Sequence, residues 1–300
     1  MEAPTGVDRP ALRLGIAQLA PRLRDVPANA AAITAAAAAD VDILLTPELS
    51  LTGYDVGDAV HHLATPVVTG SLLRPRTSRL PDEEPDVPDV AADAAGDVVI
   101  GLVEAAPGGP FNTGCVLRQG RVVFRHRKLY LPTYGMFDEG RWFGRGDSLD
   151  TWTTPSGWHC GLLICEDFWH PGLAYVLATR GIDLLLVQAA APGRGVWQGG
   201  EEDAFASADV WRRIARTTAQ LYGIHVALCN RSGVEGGVMF AGGSLVAGPD
   251  GSILAASDTG TGLLEVELTA GEQGRARQPY AHARDDDARL VVRELQRCLP

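Results

Sequence analysis

The sequence predicts an α/β fold in which two packed β-sheets are covered by helices on the outside. Short apolar runs bounded by Gly, Pro or polar residues recur along the chain, as buried strands do. Strands and helices alternate early, whereas hairpins and further strands dominate later. Neither an internal repeat nor a linker divides the 300 residues, so we expect a single domain over residues 1–300.

The first part of the chain alternates strand, helix and strand. Residues 12–19 form an apolar run that predicts a strand, and the alanine-rich segment 27–39 has the composition of a helix. Further strands are predicted over 41–46 and 98–103. The segment 74–97 between them carries prolines among acidic residues, which indicates a surface loop to which we assign no function.

A hairpin and a long loop follow. Alternating residues over 112–118 and 122–126 flank Gln119-Gly120, a dipeptide suited to a tight turn. The loop 129–147 is rich in Gly, Pro and aromatic residues, and loops of this length in compact domains are usually functional. The remaining predicted elements are strands over 158–165, 183–188, 225–229, 243–247, 253–256 and 263–268, and helices over 172–180 and 201–222.

Composition and charge favour small-molecule chemistry. With 46% hydrophobic and 21% charged residues, the chain can bury a large core. A net charge of −11 argues against nucleic acid and anionic membranes as partners, because both attract basic surfaces. The sequence shows neither a membrane-spanning run nor a signal peptide, so we expect a cytoplasmic protein.

No metal, cofactor or disulfide is expected. The five cysteines are widely spaced and include no CxxC pair, which disfavours a disulfide framework and a zinc cage. His61 and His62 are adjacent and would point in different directions in an extended segment. No carboxylate cluster completes a site around them, and no ligand-spacing motif is present.

Cys165 is the candidate nucleophile. It ends the apolar run Gly161-Leu162-Leu163-Ile164, so a buried strand would deliver it to the sheet end where α/β enzymes keep their chemistry. The other four cysteines fit the common role of a buried, unreactive thiol. Glu48 and Lys128 also lie at or just past predicted strand ends, which converge in layered α/β folds.

A histidine base for this thiol is the weaker alternative. His159 lies six positions before Cys165, far from the sulfur in an extended strand. His170 follows the nucleophile at the other side of the strand end. We expect replacement of His170 by Ala to leave activity largely intact if Glu48 is the base.

The order Glu48, Lys128, Cys165 resembles the catalytic triad of the nitrilase superfamily of carbon-nitrogen hydrolases. The resemblance covers roughly residues 12–268 and leaves 271–300 as a C-terminal tail. The segments that carry it are Gly15-Ile16-Ala17-Gln18, Pro47-Glu48, Phe111-Asn112-Thr113, His126-Arg127-Lys128-Leu129-Tyr130-Leu131-Pro132, Leu163-Ile164-Cys165-Glu166-Asp167, Asn230-Arg231-Ser232-Gly233 and Phe240-Ala241-Gly242-Gly243-Ser244.

The resemblance implies a four-layer α-β-β-α sandwich and a thioester mechanism. By analogy Glu48 is the general base that takes the proton of the attacking Cys165 thiol. The resulting oxyanion would be stabilised by Lys128 and by the backbone N–H of Glu166. The resemblance also implies pairing through a helical face, so a homodimer or larger homo-oligomer is expected. The tail 271–300 would then wrap a neighbouring subunit or fray.

A second glutamate of the family corresponds to Glu139. This residue lies eleven positions after Lys128 (139 − 128 = 11), in the segment Tyr134-Gly135-Met136-Phe137-Asp138-Glu139. The resemblance implies that it orients the lysine and the substrate. Asp138 is the alternative for this role, and Glu139 is favoured by its position in the motif.

The sequence around the triad is similar to that of the glutaminase domain of glutamine-dependent NAD synthetases. Glu166 follows the nucleophile where true nitrilases have Trp, which disfavours nitriles. No ATP-binding domain follows, and the segment 187–193 departs from that branch, so a free-standing amidase for a small linear amide is the leading interpretation. Alternatives are a glutaminase subunit that supplies ammonia to a separate synthetase, an N-carbamoyl amine hydrolase and, least favoured, a catalytically silent interaction protein.

Several aromatic residues near the motifs are candidates for substrate binding. Each of them is equally compatible with a place in the hydrophobic core. Together with the backbone of Glu166, the favoured residues are Tyr54, Tyr134 and Phe168, accompanied by Trp142 and Phe143.

Overall fold

Two β-sheets lie face to face at the centre of the computed structural model, which describes residues 9–75, 90–193, 206–279 and 285–299. The first sheet contains β1 (Leu12–Gln18), β2 (Ile43–Leu45), β3 (Thr65–Pro66), β4 (Asp97–Ala106), β5 (Gly109–Arg118), β6 (Arg121–Arg127) and β15 (Gly262–Leu268). The second contains β7 (Thr151–Thr153), β8 (His159–Ile164), β9 (Leu184–Ala189), β10 (His225–Asn230), β13 (Leu245–Ala247) and β14 (Ile253–Ala256). A separate hairpin pairs β11 (Ser232–Glu235) with β12 (Val238–Ala241).

Strand direction brings two functional strand ends to one edge of the first sheet. Its order is β15-β1-β2-β4-β5-β6, with β3 beside β4. β2 runs parallel to β4, β5 is antiparallel to β4, and β6 is antiparallel to β5. The C-terminal ends of β2 and β6 therefore lie at the same edge. The second sheet has the order β14-β13-β10-β9-β8-β7, with β8, β9 and β10 parallel.

Helices cover the outer faces of both sheets. The helices of the described ranges are α1 (Val26–Ala36), α2 (Val60–Leu63), α3 (Glu139–Trp142), α4 (Pro171–Thr179), α5 (Ala206–Tyr222), α6 (Ala270–Arg277) and α7 (Ala288–Cys298). Of these, α1 and α2 pack on the first sheet and α4 and α5 on the second, whereas α7 buries no residue. Asp25 caps α1 by accepting a hydrogen bond from the backbone N–H of Ala28, and Pro27 stands in the first turn, where its missing N–H costs nothing. Pro171 begins α4 in the same way.

Three apolar layers hold the four structural layers together. One lies between the first sheet and α1 with α2, and includes Ile33 and Leu63. A second lies between the two sheets, where Leu14 and Leu186 are fully buried. The third lies between the second sheet and α4 with α5, and includes Leu177. The predicted four-layer α-β-β-α sandwich is therefore confirmed.

The predicted loop over 129–147 needs one correction, because it contains the short helix α3. Several short elements and the last helix also escaped prediction. They are α2, β3, β7, the β11–β12 hairpin and α7. Residues 76–89 of the predicted acidic loop and 201–205 of the predicted helix lie outside the described residues.

The C-terminal tail also differs from prediction, since α6 packs on the sandwich. The Nε2 amide of Gln273 donates to the carbonyl of Asp183 over 2.6 Å, and Glu272 lies 3.0 Å from Nε2 of the buried His225. The folded unit thus extends to α6 rather than ending at residue 268. Across the described ranges, no helix has both the length and the apolar character that crossing a membrane requires.

Candidate active site

Glu48 stands in a strained turn directly after β2. Its neighbour Leu49 has a φ of 47°, a left-handed conformation that is rare for non-glycine residues. The turn passes so close to β4 that a Cβ on Gly101 would lie 2.3 Å from the backbone N of Leu49. Gln188 of the second sheet donates through Nε2 to the carbonyl of Thr46 over 2.9 Å. Both sheets therefore fix the turn that carries Glu48, a residue that is 1% exposed.

Lys128 follows β6 and is completely buried. Its backbone N–H donates to the carbonyl of Asn112 over 2.9 Å, which continues the ladder with β5. Its ammonium donates to Oε1 of Glu48 over 2.6 Å and to Oε1 of Glu139 over 2.7 Å. A buried ammonium requires such partners, because burial of an unpaired charge is strongly unfavourable.

Two further donors hold the carboxylates. The Nδ2 amide of Asn112 donates to Oε1 of Glu48 over 2.8 Å, and the hydroxyl of Tyr54 donates to Oε1 of Glu139 over 2.5 Å. Oε2 of each glutamate is buried and has no hydrogen-bond partner among the described residues. Each carboxylate is thus held by one oxygen, and Oε2 of Glu48 is available to take a proton.

Cys165 occupies a sharp turn at the end of β8. Its φ is 46°, and a 3-10 segment, Cys165–Trp169, begins there. The residue is 7% exposed. Burial raises the pKa of its thiol well above the usual range, the charge of Glu48 raises it further, and Lys128 opposes both effects. The resting thiol is therefore protonated at neutral pH, and a base must act during its attack.

The buried charges also shift the pKa values of their neighbours. Burial alone would lower the pKa of Lys128, but Glu139 and Glu48 raise it well above its usual value, so the ammonium stays charged. Burial raises the pKa of Glu139 to about 7, with Lys128 opposing and Glu48 assisting. Burial, followed by Glu139 and Glu48, raises the pKa of Tyr54, which keeps its hydroxyl a donor.

The structure brings some of the predicted binding residues to this site. The hydroxyl of Tyr134 donates to Oε2 of Glu166 over 2.7 Å, and burial raises the pKa of that hydroxyl to about 12. Tyr134 itself is 54% exposed, as expected of a residue at the mouth of a site. Phe168 is 2% exposed and stacks on Trp211 in the core under α5. Its role in binding substrate stays a prediction.

Trp142 and Phe143 pack against the apolar layer of the first sheet. Of their two predicted places, the substrate site and the hydrophobic core, the structure therefore supports the core. Asp138, the alternative to Glu139, has a side chain that is 62% exposed and lies 4.0 Å from Arg141. The carboxylate that contacts Lys128 is that of Glu139.

The histidines take other places. His159 lies 2.7 Å from the hydroxyl of Thr151, at the start of β8 and away from the Cys165 end. His170 stacks on Tyr130 and lies 3.7 Å from Oε1 of Glu166. His61 and His62 are exposed on α2, and no group of potential metal ligands occurs within the described ranges.

The β11–β12 hairpin holds the backbone at Tyr54 through hydrogen bonds. Glu235 of β11 accepts the backbone N–H groups of Tyr54 and Asp55 over 3.0 and 2.8 Å. Arg231 donates to Oε2 of Glu235 over 2.7 Å, and both side chains are buried. A Cβ on Gly53, whose φ is +78°, would lie 2.8 Å from that same oxygen. The loop before Tyr54 therefore requires glycine at this position.

The family model for carbon-nitrogen hydrolases matches residues 13–278 of the chain. This chain belongs to the carbon-nitrogen hydrolase family. The resemblance to the nitrilase superfamily that the motifs indicated is confirmed, and so is the similarity to glutamine-dependent NAD synthetases. The match also includes the whole of α6, in agreement with the packing of that helix on the sandwich.

Relatives of this hydrolase include a long synthetase and a hydrolase of similar length. The glutamine-dependent NAD(+) synthetase of Rhodobacter capsulatus is 31% identical over 252 residues, which cover 80% of this chain but 40% of the synthetase. The chain thus spans less than half the length of such relatives. A protein of Pseudomonas protegens described as a hydrolase in the pqqF 5′ region is 30% identical over 89% of this chain and 86% of its own length.

A solved structure of similar length supports the same fold. The amidase from Nesterenkonia sp. AN1, in a mutant carrying the acetamide moiety of fluoroacetamide on its active-site cysteine, has a TM-score of 0.71. It is 25% identical, and the match covers 96% of this chain and 99% of the amidase.

Sequence reasoning about this hydrolase missed the contacts that position the predicted residues. Asn112 was noted only as part of a motif, and Gln188 only as part of a departure from the synthetase branch. Glu235 carried no signal, because it belongs to a short hairpin outside both sheets. A contact such as that between Asn112 and Glu48, 64 positions apart, depends on the order of strands in the sheet.

Proposed function

We propose that this carbon-nitrogen hydrolase is a thiol amidase that cleaves a small linear amide through a thioester on Cys165. The observation that carries the proposal is the buried Lys128 ammonium, which is held between Glu48 and Glu139. The charges of all three residues act on the Cys165 thiol. A nucleophile, a base and a fixed cation at one place are what acyl transfer requires.

In the acylation step, Oε2 of Glu48 takes the thiol proton while Sγ of Cys165 attacks the amide carbonyl carbon. The C–O double bond becomes a single bond, and its negative oxygen is stabilised by Lys128 and by the backbone N–H of Glu166. When this intermediate collapses, the C–N bond breaks and the nitrogen receives the proton from Glu48. Ammonia or an amine leaves, and a thioester remains on Sγ.

In the deacylation step, water gives a proton to Glu48 and attacks the thioester carbon. The C–S bond breaks, the carboxylic acid departs, and the sulfur regains a proton from Glu48. Glu139 keeps the Lys128 ammonium in place through both steps, and Tyr54 holds Glu139. Glu48 thus moves the proton and Lys128 supplies the positive charge in both half-reactions, and neither half-reaction needs a cofactor.

The mouth of the site favours a polar amide. Tyr134 and Glu166 present a hydroxyl and a carboxylate there, and their hydrogen bond fixes the carboxylate. A substrate with N–H donors in its acyl part suits these groups. The Nesterenkonia amidase, whose active-site cysteine carries the acetamide moiety of fluoroacetamide in a mutant, supports an amide as the substrate class.

A glutaminase that supplies ammonia to a separate synthetase is the second candidate. The identity to the Rhodobacter NAD synthetase over 80% of this chain favours it. In that case ammonia release from glutamine would rise when the partner synthetase is added.

The test is ammonia release from glutamine, asparagine, simple amides, N-carbamoyl amino acids and nitriles, with the Cys165→Ala variant as the blank. We expect release that depends on Cys165 from at least one amide and from no nitrile. Release that is equal in the blank would contradict the mechanism. Release from glutamine alone, and only with a synthetase present, would favour the second candidate.

We also expect a homodimer or larger homo-oligomer. Trp169, just before α4, is 43% exposed, and Leu221 of α5 is 55% exposed. Val176 of α4 and Val210 of α5 are exposed as well. A second copy of this chain would cover these apolar side chains. Light scattering on the wild type and on Leu221→Glu tests the expectation, since the charge should give a monomer. A cytoplasmic location, and the lack of nucleic-acid and membrane partners, stay predictions from composition.

A further inference from the structure

The carboxylate of Asp167 lies at the junction of the two sheets and has no exposed surface. Its Oδ1 accepts the backbone N–H groups of Leu129 and Tyr130, each over 2.9 Å. Its Oδ2 accepts the N–H of Ile164 over 3.2 Å and lies 3.0 Å from Nε2 of His126. One buried side chain is therefore surrounded by four donors from two separate parts of the chain.

The positions of these donors are the informative feature. Three of them come from residues that flank Lys128, two positions before it and one and two positions after it. The fourth comes from Ile164, directly before Cys165. We propose that Asp167 is a positioning residue, which holds the end of β6 with Lys128 in register with the turn that carries Cys165. This inference rests on the proposed function.

The need for a carboxylate supports this role. A buried charge is unfavourable unless donors surround it, and hydrogen bonds to an ionised group are shorter and stronger than neutral ones. Such bonds fix a distance between two sheets better than apolar contact does. A second contact joins the same two segments, because the ring of Tyr130 stacks on His170 with centroids 3.4 Å apart and planes 9° apart.

The consequence is a geometric one for the reaction. The ammonium of Lys128 is held by Glu48 and Glu139, which lie on the side of the site that faces the first sheet. Cys165 directly follows β8 of the second sheet. The oxyanion forms between them, so a shift of about 1 Å between β6 and the Cys165 turn is expected to reduce turnover by about 100-fold. Substrate binding at the mouth depends much less on this distance.

The experiment replaces Asp167 by Asn, which keeps the shape but has one acceptor oxygen and one NH₂ group. Its oxygen can face Leu129 and Tyr130 or face Ile164 and His126, but not both pairs. We expect kcat to fall about 100-fold with KM within about threefold of wild type. We also expect slower alkylation of Cys165 by iodoacetamide, followed on the peptide that contains it, because Cys298 is exposed and reacts as well.

The matched control is Asp183→Asn. Asp183 is also a buried carboxylate, which pairs with Arg9 and accepts the N–H of His159, but it lies at the opposite end of β8 and β9. It should lose thermal stability while retaining kcat and the alkylation rate of Cys165. A structural role for Asp167 alone would make the two variants behave alike.

A second pair of variants applies if Asp167→Asn does not fold. His126→Ala removes one donor to Asp167, and His126→Gln restores an N–H at that place. We expect kcat about tenfold lower in the first variant and partly recovered in the second. Equal kcat in both variants and the wild type overturns the proposal.

The outcomes separate this inference from the proposed function. A wild type that releases no ammonia from any amide contradicts the function, and the alkylation rates of Asp167→Asn and Asp183→Asn still test the positioning role. A folded Asp167→Asn with wild-type kcat, or with raised KM and unchanged kcat, overturns the positioning role while the function stands.

Discussion

The Nζ atom of Lys128 lies 2.7 Å from Oε1 of Glu139, and both groups are buried. The same ammonium lies 2.6 Å from Oε1 of Glu48, so one positive charge is shared by two carboxylates. Burial raises the pKa of Glu139 to about 7, so near neutral pH its carboxyl can take up one additional proton at a small cost in free energy. The protonation of Glu139 therefore decides how firmly Lys128 is held.

Glu139→Gln removes the charge that orients Lys128. We expect kcat about 100-fold below wild type, since the cation that stabilises the oxyanion is less well fixed. In the wild type, kcat should decline as the pH falls through about 7, where Glu139 becomes protonated. Profiles of kcat against pH measure this, and the decline should vanish in Glu139→Gln. The same decline in both proteins would assign it to another group.

Tyr54→Phe tests the same pKa from the opposite direction. The hydroxyl of Tyr54 donates to Glu139, and this hydrogen bond lowers the pKa of that carboxyl. Its loss should raise the pKa, so the acid decline of kcat should move to higher pH. Tyr134→Phe is the control, because its hydroxyl donates to Glu166 instead. An acid decline that stays in place in Tyr54→Phe would show that Glu139 does not control it.

The sequence predicted the strands that carry apolar runs or alternation, and therefore the three strand ends of the site. Glu48 and Cys165 each follow an apolar run, and Lys128 follows the alternating strand of a hairpin. The ends at Glu48 and Lys128 lie at one edge because β2 and β6 run in the same direction. Asn112 was harder to place, because its contact with Glu48 exists only once β5 has taken its position between β4 and β6.

Helix α6 escaped prediction for a different reason. It is polar, and its buried residue is Gln273, so no apolar periodicity marks it. A capping box was nevertheless readable, because Thr269 and Glu272 have the spacing of that motif and Glu272 accepts the N–H of Thr269 over 3.0 Å. Its contact with His225 could not be read, because burial of a histidine depends on the tertiary fold.

Glu48→Gln should change the pKa of the Cys165 thiol and the turnover in opposite ways, which separates the two effects of Glu48. The charge of Glu48 raises the pKa of Cys165, so its removal should lower that pKa and allow thiolate at lower pH than in the wild type. Turnover should nevertheless fall about 1,000-fold or more, because no residue remains to take the thiol proton and then donate it to the leaving nitrogen. Ultraviolet absorbance of the thiolate and ammonia release measure the two effects.

The control for Glu48→Gln is Asp97→Asn, which neutralises a buried carboxylate that pairs with Arg118 at the start of β4. It should leave the pKa of Cys165 unchanged. Retained turnover in Glu48→Gln would show that another group acts as the base.

Gly101→Ala tests whether close contact between β4 and the turn after β2 positions Glu48. The added Cβ would lie 2.3 Å from the N of Leu49 and 2.8 Å from the carbonyl of Pro47, so the turn must move. We expect a loss of about 2 kcal/mol in the free energy of unfolding, measured by urea, together with a large fall in kcat. Gly172→Ala in α4 is the control, because its Cβ meets no atom within 4 Å. That variant should gain up to about 1 kcal/mol from helix propensity and keep its kcat. Equal stability and turnover in the two variants would mean that the turn tolerates displacement, and that the contacts of Glu48 with Lys128 and Asn112 alone hold the base.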